Sequence, residues 1–320
     1  AIMAESNKQE TEKKILEGVL NTAFIEQRRS RRWGIFFKLL TLGYLVALLL
    51  IFTNAGNHGA VTTGDFTALI HLRGEIGAEQ AVNASDFRSS LKAVYANPGT
   101  KGVILSINSP GGSPVQSGMI NDEIRRYKIQ FPEIPIYAVV EDVCASGAYY
   151  IAVAADKIFV DKASIVGSIG VLIDGFGFEK AIATLGIERR LITAGVNKAI
   201  MDPFLPVDPK QKMHIDAMLA EVHQQFIDVV KSGRGDRLAN NEEIFSGLFW
   251  SGEKAIQLGL ADDMGNIYSV ARDVVGFEEV VDFTGYDSFA DRFAKQLGIG
   301  IGTTFDNFFY KLLNNNFNIK

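Results

Sequence analysis

The chain of 320 residues contains one cysteine, Cys144, and few histidines. One cysteine cannot form an intrachain disulfide, which excludes a disulfide scaffold and a thiolate-rich metal site. The net charge of −5 gives no reason to expect a nucleic-acid partner. The histidines do not lie at ligand spacing from carboxylates, so we predict no zinc site and no metal cofactor. These histidines are His58, His71, His214 and His223.

One long apolar run is present, over residues 34–52, with a single charge at Lys38. A helix of about twenty apolar residues crosses a bilayer core. Four arginines lie between positions 28 and 32, whereas the twenty residues after Phe52 contain no Lys or Arg. The positive-inside rule then places the amino terminus in the cytoplasm. The alternative is a cleaved signal peptide, but the polar region before the run is long and contains five acids, unlike a short basic n-region.

We therefore predict a division of the chain into five parts. A cytoplasmic segment (1–32) precedes one transmembrane anchor (33–52), and a small, polar linker (53–64) leads to a folded domain (65–285). An aromatic-rich tail (286–320) follows. Three interpretations of the tail stay open: packing on its own domain, contact between protomers, and contact with a membrane surface.

Within the folded domain, short β-rich runs alternate with helical stretches, which predicts an α/β fold with a layered sheet. The predicted strands are 66–72, 102–107, 136–140, 157–160, 169–173 and 188–193. The predicted helices are 84–96, 115–129, 146–154, 178–185, 209–232, 253–258 and 267–275.

A glycine-rich turn, Asn108 to Pro114, follows the second predicted strand and precedes a helix. Pro-Gly-Gly is turn chemistry, so a tight turn is the simpler interpretation. The functional interpretation is that glycines without a Cβ let backbone N–H groups approach a ligand oxygen and form half of an oxyanion hole. The turn lacks the Gly-Lys-Ser/Thr ending of a nucleotide-binding Walker loop.

Ser146 lies among small residues at the predicted start of a helix. Most serines at this position only cap the helix. Here Ala145, Gly147 and Ala148 leave room around the hydroxyl, and the N–H of Gly147 lies at the positive end of the helix. Ser146 is therefore a candidate nucleophile. Cys144 has no histidine partner in the sequence, and we interpret it as a buried filler.

Lys198 is flanked by small and apolar residues. A lysine usually lies in solvent. To act as a base, a lysine needs its pKa lowered from about 10.4 to about 7–8, which requires partial burial without a carboxylate partner. The neighbours of Lys198 fit that need, and the hydroxyl of Ser168 is a candidate for orienting the amine. A serine and a neutral lysine together can perform acyl transfer without histidine.

Five motifs in this order resemble the signal peptide peptidase A family, membrane-anchored serine peptidases, in its short, single-copy form. The resemblance runs from about Phe66 to Val280. The motifs are SPGG (109–112), ASGAYY (145–150), GSIGV (167–171), GVNKAIMDP (195–203) and FWSGEKA with LGL (249–260).

This resemblance implies the Clp protease/crotonase fold, a superhelix of β-β-α units, and a ring-like homo-oligomer. It implies a Ser/Lys dyad of Ser146 and Lys198, with Ser168 as the hydroxyl that positions the lysine. Whether the dyad forms within one protomer or across an interface stays open. The oxyanion donors fall on Gly112 and Gly147, with Gly111 as an alternative to Gly112.

The resemblance also implies the substrates: hydrophobic peptides, such as cleaved signal peptides, hydrolysed without a cofactor. With the predicted anchor, the protein would lie in a bacterial inner membrane with its peptidase domain (65–285) outside the cytoplasm. Two alternatives remain. One is a crotonase-type acyl-CoA enzyme, which uses similar backbone oxyanion donors but usually acts in the cytoplasm. The other is a catalytically inactive membrane scaffold with the same fold.

Overall fold

The computed structural model describes residues 28–29, 31–47 and 64–285. The predicted tail, nearly all of the linker and most of the cytoplasmic segment lie outside these ranges. Residues 31–47 form a helix in which the hydroxyl of Thr41 donates to the carbonyl of Phe37 at 2.8 Å. No helix among the described residues is both long enough and apolar enough to cross a membrane. The predicted 33–52 anchor extends beyond the described helix and stays a prediction.

Residues 64–285 contain an eight-stranded sheet with the order β6-β5-β3-β2-β1-β8, to which β4 and β7 attach at the side of β3. All pairs are parallel except β5 with β6. The central strands are nearly continuous apolar runs because both faces of a parallel sheet are covered. The strands are β1 (Phe66–Arg73), β2 (Thr100–Ser109), β3 (Ile136–Ala145), β4 (Lys157–Val160), β5 (Ile165–Gly167), β6 (Phe249–Ser251), β7 (Asp263–Met264) and β8 (Val280–Asp282).

Strand β3 pairs with two different strands along its length. Its first half, from Tyr137, pairs with β4, whereas its end pairs with β5 so that Ala145 lies opposite Gly167. The residues that follow these two positions are Ser146 and Ser168. The branching of the sheet therefore brings two of the predicted site residues to the same edge.

Side-chain caps and prolines mark the beginnings of the longer helices. Asn83, Ser113 and Asp208 each accept a hydrogen bond from a backbone N–H of the first turn, and Pro209 occupies the first turn after Asp208 as predicted. The helices are α1 (Ala84–Ala96), α2 (Pro114–Gln130), α3 (Gly147–Ala152), α4 (Glu179–Thr184), α5 (Pro209–Arg234), α6 (Gly252–Gln257) and α7 (Ile267–Ser269), the last continued by a π-helical turn, Val270–Val275.

The two faces of the sheet carry separate apolar clusters. Ile70 belongs to the larger cluster, to which α1, α2, α3 and α5 contribute, whereas its neighbour Leu69 belongs to a smaller one with Val270 and Ala271. This alternation follows from the two-residue period of a strand. Each fully buried aliphatic side chain contributes about 1.5–3 kcal/mol to folding. The structure confirms the predicted α/β class.

A buried ion pair fixes the carboxyl end of α5. The Arg234 side chain is 1% exposed and contacts Asp262 through two guanidinium nitrogens, at 2.7 and 2.9 Å. Asp262 also accepts a hydrogen bond from the backbone N–H of Ile158 at 2.7 Å. Burial by itself would raise the pKa of Asp262, but these hydrogen bonds and the nearby guanidinium charges hold it below its ordinary value.

Two predicted strands are wrong. Residues 169–173 and 188–193 form no strand, and the strand in this region is the shorter β5. Residues 169–173 are apolar, whereas residues 188–193 begin with three charged side chains. Neither run pairs with a neighbour within residues 64–285, and a strand needs a partner for its backbone groups. None of residues 171–208, which we name the Lys198 segment, is buried. Ile192, within the second run, is 97% exposed.

Candidate active site

Ser146 lies in a strained turn between β3 and α3. Its φ of 53° is in the left-handed region, which residues other than glycine rarely occupy. Its side chain makes no capping hydrogen bond to α3, so the simple N-cap interpretation is wrong. The backbone holds the turn instead, because the N–H of Ser146 donates to the carbonyl of Gly167 at 2.9 Å. A strained residue whose hydroxyl is not used for capping is typical of a functional position.

Helix α3 is a rigid support for this turn. Tyr149 is fully buried, and its hydroxyl donates to the carbonyl of Leu260 at 2.8 Å. On the other side of the helix, the amide of Asn121 donates to the carbonyl of Tyr150 at 2.7 Å. The position of Ser146 is thus determined by buried contacts to three other parts of the chain.

The glycine-rich turn packs directly against the Ser146 turn. Gly111 and Gly112 have φ values of 101° and 144°. A Cβ on Gly111 would lie 2.7 Å from both the carbonyl oxygen of Ala145 and the nitrogen of Gly147. A Cβ on Gly112 would lie 2.1 Å from the carbonyl oxygen of Ile76. Both the backbone angles and the lack of space therefore require glycine at these positions.

Two backbone N–H groups of this region suit an oxyanion. A Cβ added to Gly147 would lie 3.3 Å from the backbone nitrogen of Gly112, so the two glycines lie side by side. Within residues 64–285, neither Gly112 nor Gly147 donates its N–H to another group. By contrast, the N–H of Gly111 donates to the hydroxyl of Ser109 at 3.1 Å. Of the two glycines left open by the sequence, Gly112 is the one with a free donor.

Ser168 lies beside Ser146 in a second strained turn. Its φ is 54°, and its N–H donates to the carbonyl of Leu248 at 2.7 Å. The next residue, Ile169, is fully buried, and its carbonyl oxygen lies 3.1 Å from Nε2 of His223 on α5.

A cleft of about 560 Å³ joins these features. Three of the predicted residues line it: Gly112, Ser146 and Ser168. Among the described residues that line it, His223 carries the one titratable side chain. No role was predicted for His223, because no sequence signal reveals a contact between residues 54 positions apart. The other lining residues are Pro114, Gly170, Val171, Leu172, Ser246 and Gly247.

Lys198 does not line this cleft. It lies in an exposed turn of the Lys198 segment, where its N–H donates to the carbonyl of Gly195 at 3.1 Å. Its side chain forms no ion pair with any residue of 64–285. Asp202, four positions later, pairs with Arg189 at 2.9 Å instead, and this hydrogen bond lowers the pKa of Asp202. Lys198 thus lacks a carboxylate partner, as a base requires, but does not line the cleft that contains Ser146.

Cys144 is fully buried, and burial raises the pKa of its thiol well above the usual range. A thiol that resists ionisation is a poor nucleophile. This agrees with its interpretation as an apolar filler.

The chain is similar to known peptidases. The model of peptidase family S49 matches residues 129–275, which include Ser146, Ser168 and Lys198. A Methanocaldococcus jannaschii protein that carries a protease name is 31% identical over 229 residues, covering 68% of this chain and 73% of that protein. An Enterococcus faecium protein that carries the name signal peptide peptidase SppA is 31% identical over 188 residues, covering 59% of this chain and 54% of that protein.

A third relative carries a different name. The Na+/H+ antiporter NhaA of Brucella abortus is 41% identical over 219 residues, which cover 68% of this chain and 28% of that protein. The chain therefore spans little more than a quarter of the Brucella protein and about half of the Enterococcus protein.

Proposed function

Because the chain belongs to peptidase family S49, the signal peptide peptidase A family, we propose that it is a serine endopeptidase with a Ser146/Lys198 dyad. The observation that carries the proposal is the strained Ser146, which shares a cleft with Gly112 and lies beside two free backbone donors. A nucleophile next to preorganised N–H groups is the arrangement that acyl transfer needs. The finer fold assignment, to the Clp protease/crotonase superfamily, belongs to the same proposal.

In the proposed reaction, the neutral amine of Lys198 takes the proton of the Ser146 hydroxyl as its oxygen attacks the peptide carbonyl carbon. The resulting oxyanion accepts hydrogen bonds from the N–H groups of Gly112 and Gly147. The C–N bond then breaks, and the Lys198 ammonium protonates the leaving amine. Water then attacks the acyl-enzyme while Lys198 takes one of its protons, the ester bond to Ser146 breaks to release the carboxylic acid product, and the Lys198 ammonium returns the proton to the Ser146 oxygen. Ser168 orients the amine of Lys198 throughout.

We propose that Lys198 reaches the cleft from a neighbouring copy in a ring-like homo-oligomer. Two observations support this: Lys198 does not line the cleft of its own chain, and the Lys198 segment has no buried residue. Several of its exposed side chains are large and apolar, among them Phe176, Ile192 and Val196. A surface of this kind is typical of a protein–protein contact.

The cleft also suits a lysine that must be neutral. No carboxylate is among the described residues that line it. An ammonium that enters such a site loses hydration without gaining an ion pair, which favours the uncharged amine. The same shortage of charge suits an apolar peptide.

As substrates we propose hydrophobic peptides, such as cleaved signal peptides. The proposal includes anchoring in the inner membrane of a bacterium through residues 33–52, with the peptidase domain outside the cytoplasm. It rests on the apolar run and on the arginines that precede it. Substrate and enzyme would then meet at the membrane surface.

The test uses the full chain in detergent and a fluorogenic, signal-peptide-like hydrophobic peptide. Ser146→Ala and Lys198→Ala should each lower kcat by about 10⁴-fold or more with the fold retained. Ser85→Ala and Lys92→Ala, both at exposed positions outside the Lys198 segment, are the matched controls and should keep full activity. Near-normal turnover in either dyad variant would exclude the dyad. If the folded, assembled wild type hydrolyses no peptide of a hydrophobic panel, the result would instead favour an inactive scaffold.

A further inference from the structure

His223 contacts the turn that carries Ser168. Its Nε2 lies 3.1 Å from the carbonyl oxygen of Ile169, and its ring lines the same cleft as Ser146 and Ser168. A carbonyl oxygen can only accept a hydrogen bond, so the proton of the neutral imidazole lies on Nε2. The imidazole therefore acts as a donor here, and this nitrogen cannot accept the proton of Ser146.

The Ser168 turn is held from two sides. On one side, the N–H of Ser168 donates to Leu248 at 2.7 Å. On the other, His223 donates to Ile169. A residue other than glycine at a φ of 54° persists only when its surroundings hold it there. Without the bond from His223, one of the restraints on this conformation is lost.

His223 also lies at a boundary within α5. The buried residues of this helix are Phe226, Val230 and Arg234, all after His223. Phe226 packs against Tyr150 with a ring separation of 5.1 Å, which joins this half of α5 to α3. His223, one turn earlier, thus lies directly before the firmly packed half of the helix, which holds it at the cleft.

We propose that His223 is a positioning residue, whose hydrogen bond to Ile169 fixes the Ser168 turn so that the Ser168 hydroxyl is held where it orients the catalytic lysine. The proposal rests on the proposed function, because it assigns His223 an action through Ser168. His223 does not itself exchange protons with the substrate. Its doubly protonated form can still donate to Ile169, so the bond does not require a particular charge.

The experiment compares three variants of the full chain. His223→Leu removes the donor while keeping an apolar side chain of similar size. His223→Gln restores an N–H donor on a flexible side chain. His214→Leu, at an exposed position on the same helix, is the matched control.

The first measurement is amide hydrogen exchange in peptides that cover residues 165–170, followed by mass spectrometry. His223→Leu should accelerate exchange of this turn by about tenfold or more, because a local restraint is lost. His223→Gln and His214→Leu should exchange at the wild-type rate. Unchanged exchange in His223→Leu would overturn the proposal, and this measurement does not depend on any peptidase activity.

The second measurement is peptide hydrolysis. His223→Leu should lower kcat by about 10- to 100-fold with little change in KM, because the lost interaction acts on the catalytic step. His223→Gln should recover activity to within a few-fold of the wild type. Failure of His223→Gln to recover any activity would show that the imidazole itself takes part in proton transfer.

The third measurement is a double-mutant cycle with Ser168→Ala. If His223 acts through the Ser168 hydroxyl, adding His223→Leu to Ser168→Ala should change kcat by no more than about twofold. Fully additive losses would show a general structural role instead. An inactive wild type would contradict the proposed peptidase function, whereas an active wild type with an equally active His223→Leu would contradict the role of His223 alone.

Discussion

The two halves of the proposed dyad belong to regions that are built in opposite ways. Around Ser146, a buried strand, a buried helix and two glycine contacts fix one strained turn. The Lys198 segment has no buried residue, and contacts within it include the Arg189–Asp202 pair and the rings of Phe178 and Phe204 at 5.7 Å. The region around Ser146 is therefore held by burial within its own protomer, and the Lys198 segment is not.

This contrast bears on how the activity would be controlled. A preformed nucleophile and oxyanion site without its base is inert, because a serine hydroxyl is a weak nucleophile until a base takes its proton. If the base comes from another copy, hydrolysis begins only on assembly. A protomer on its own would then carry a half-buried, unactivated serine without being a protease.

The largest effect is expected when the two halves are supplied by different copies. Ser146→Ala and Lys198→Ala, carrying different tags, are co-expressed and purified as mixed oligomers through both tags. If the dyad crosses an interface, about a quarter of the sites in random mixtures combine an intact serine with an intact lysine. Peptide hydrolysis should then rise from background to about that fraction of the wild-type rate.

The corresponding negative control is each variant purified alone, which should stay at background. Mixed oligomers that also stay at background would show that both residues act within one protomer. In that case the Lys198 segment must move to reach the cleft of its own chain.

The next effect tests the buried part of the protomer through the Arg234–Asp262 ion pair. Asp262→Asn leaves the guanidinium of Arg234 buried without its counter-charge, so the free energy of unfolding should fall by about 3–5 kcal/mol. Urea unfolding measures this change. Asp273→Asn, which removes the exposed partner of Arg272, is the matched control and should leave stability unchanged. Equal stability of Asp262→Asn and wild type would mean that this pair does not fix α5.

The pH dependence of the same pair has a definite sign. The pKa of Asp262 is below its ordinary value in the folded chain. Its stabilisation is therefore fully present above the ordinary aspartate pKa of about 3.9 and is lost as the pH falls through the lower folded-state value. The stability difference between wild type and Asp262→Asn should be constant from neutral pH down to about 5 and shrink below about 4. A difference that grows on acidification would contradict the pairing.

Much of the buried part of the protomer, including the Ser146 turn, could be predicted from sequence, because its residues pack within their own chain. Strand β4 and helix α1 were predicted with the bounds observed, and the glycine-rich turn and the Ser146 turn were predicted as neighbours of one site. The small neighbours of Ser146 and the glycines at positions 111 and 112 are needed because the two turns pack against each other through their backbones.

In the Lys198 segment, the same sequence patterns led to a wrong prediction. In residues 188–193 only Leu191 and Ile192 are large and apolar, and such side chains indicate only that something covers them, not that a sheet partner exists in the same chain. The place of Lys198 and the contact of His223 depend on how distant parts of the chain meet. Neither arrangement leaves a local pattern.

A smaller effect is expected when one of the two proposed oxyanion donors is disturbed. Gly112→Ala places a Cβ 2.1 Å from the carbonyl oxygen of Ile76 at a φ of 144°, so the turn must shift and misplace its N–H. Loss of one oxyanion donor lowers kcat by about 10²–10³-fold. Gly118→Ala in α2, where a Cβ has open space, is the control and should raise stability by up to about 1 kcal/mol. Normal kcat in a folded Gly112→Ala variant would remove Gly112 from the oxyanion site.

The smallest effect on the protomer is expected in the Lys198 segment. Ile192 is 97% exposed, so Ile192→Ser should change the protomer's free energy of unfolding by no more than about 0.5 kcal/mol. If the segment packs on a neighbouring copy, the same change removes about 2 kcal/mol of apolar burial from the contact and weakens assembly by about 30-fold. Sedimentation velocity over a range of concentrations measures this shift. Ile129→Ser, at an 83% exposed position on α2, is the matched control and should leave assembly unchanged. Equal assembly of the two variants would mean that Ile192 lies outside the contact, and the exposed apolar surface of the Lys198 segment would then need another partner.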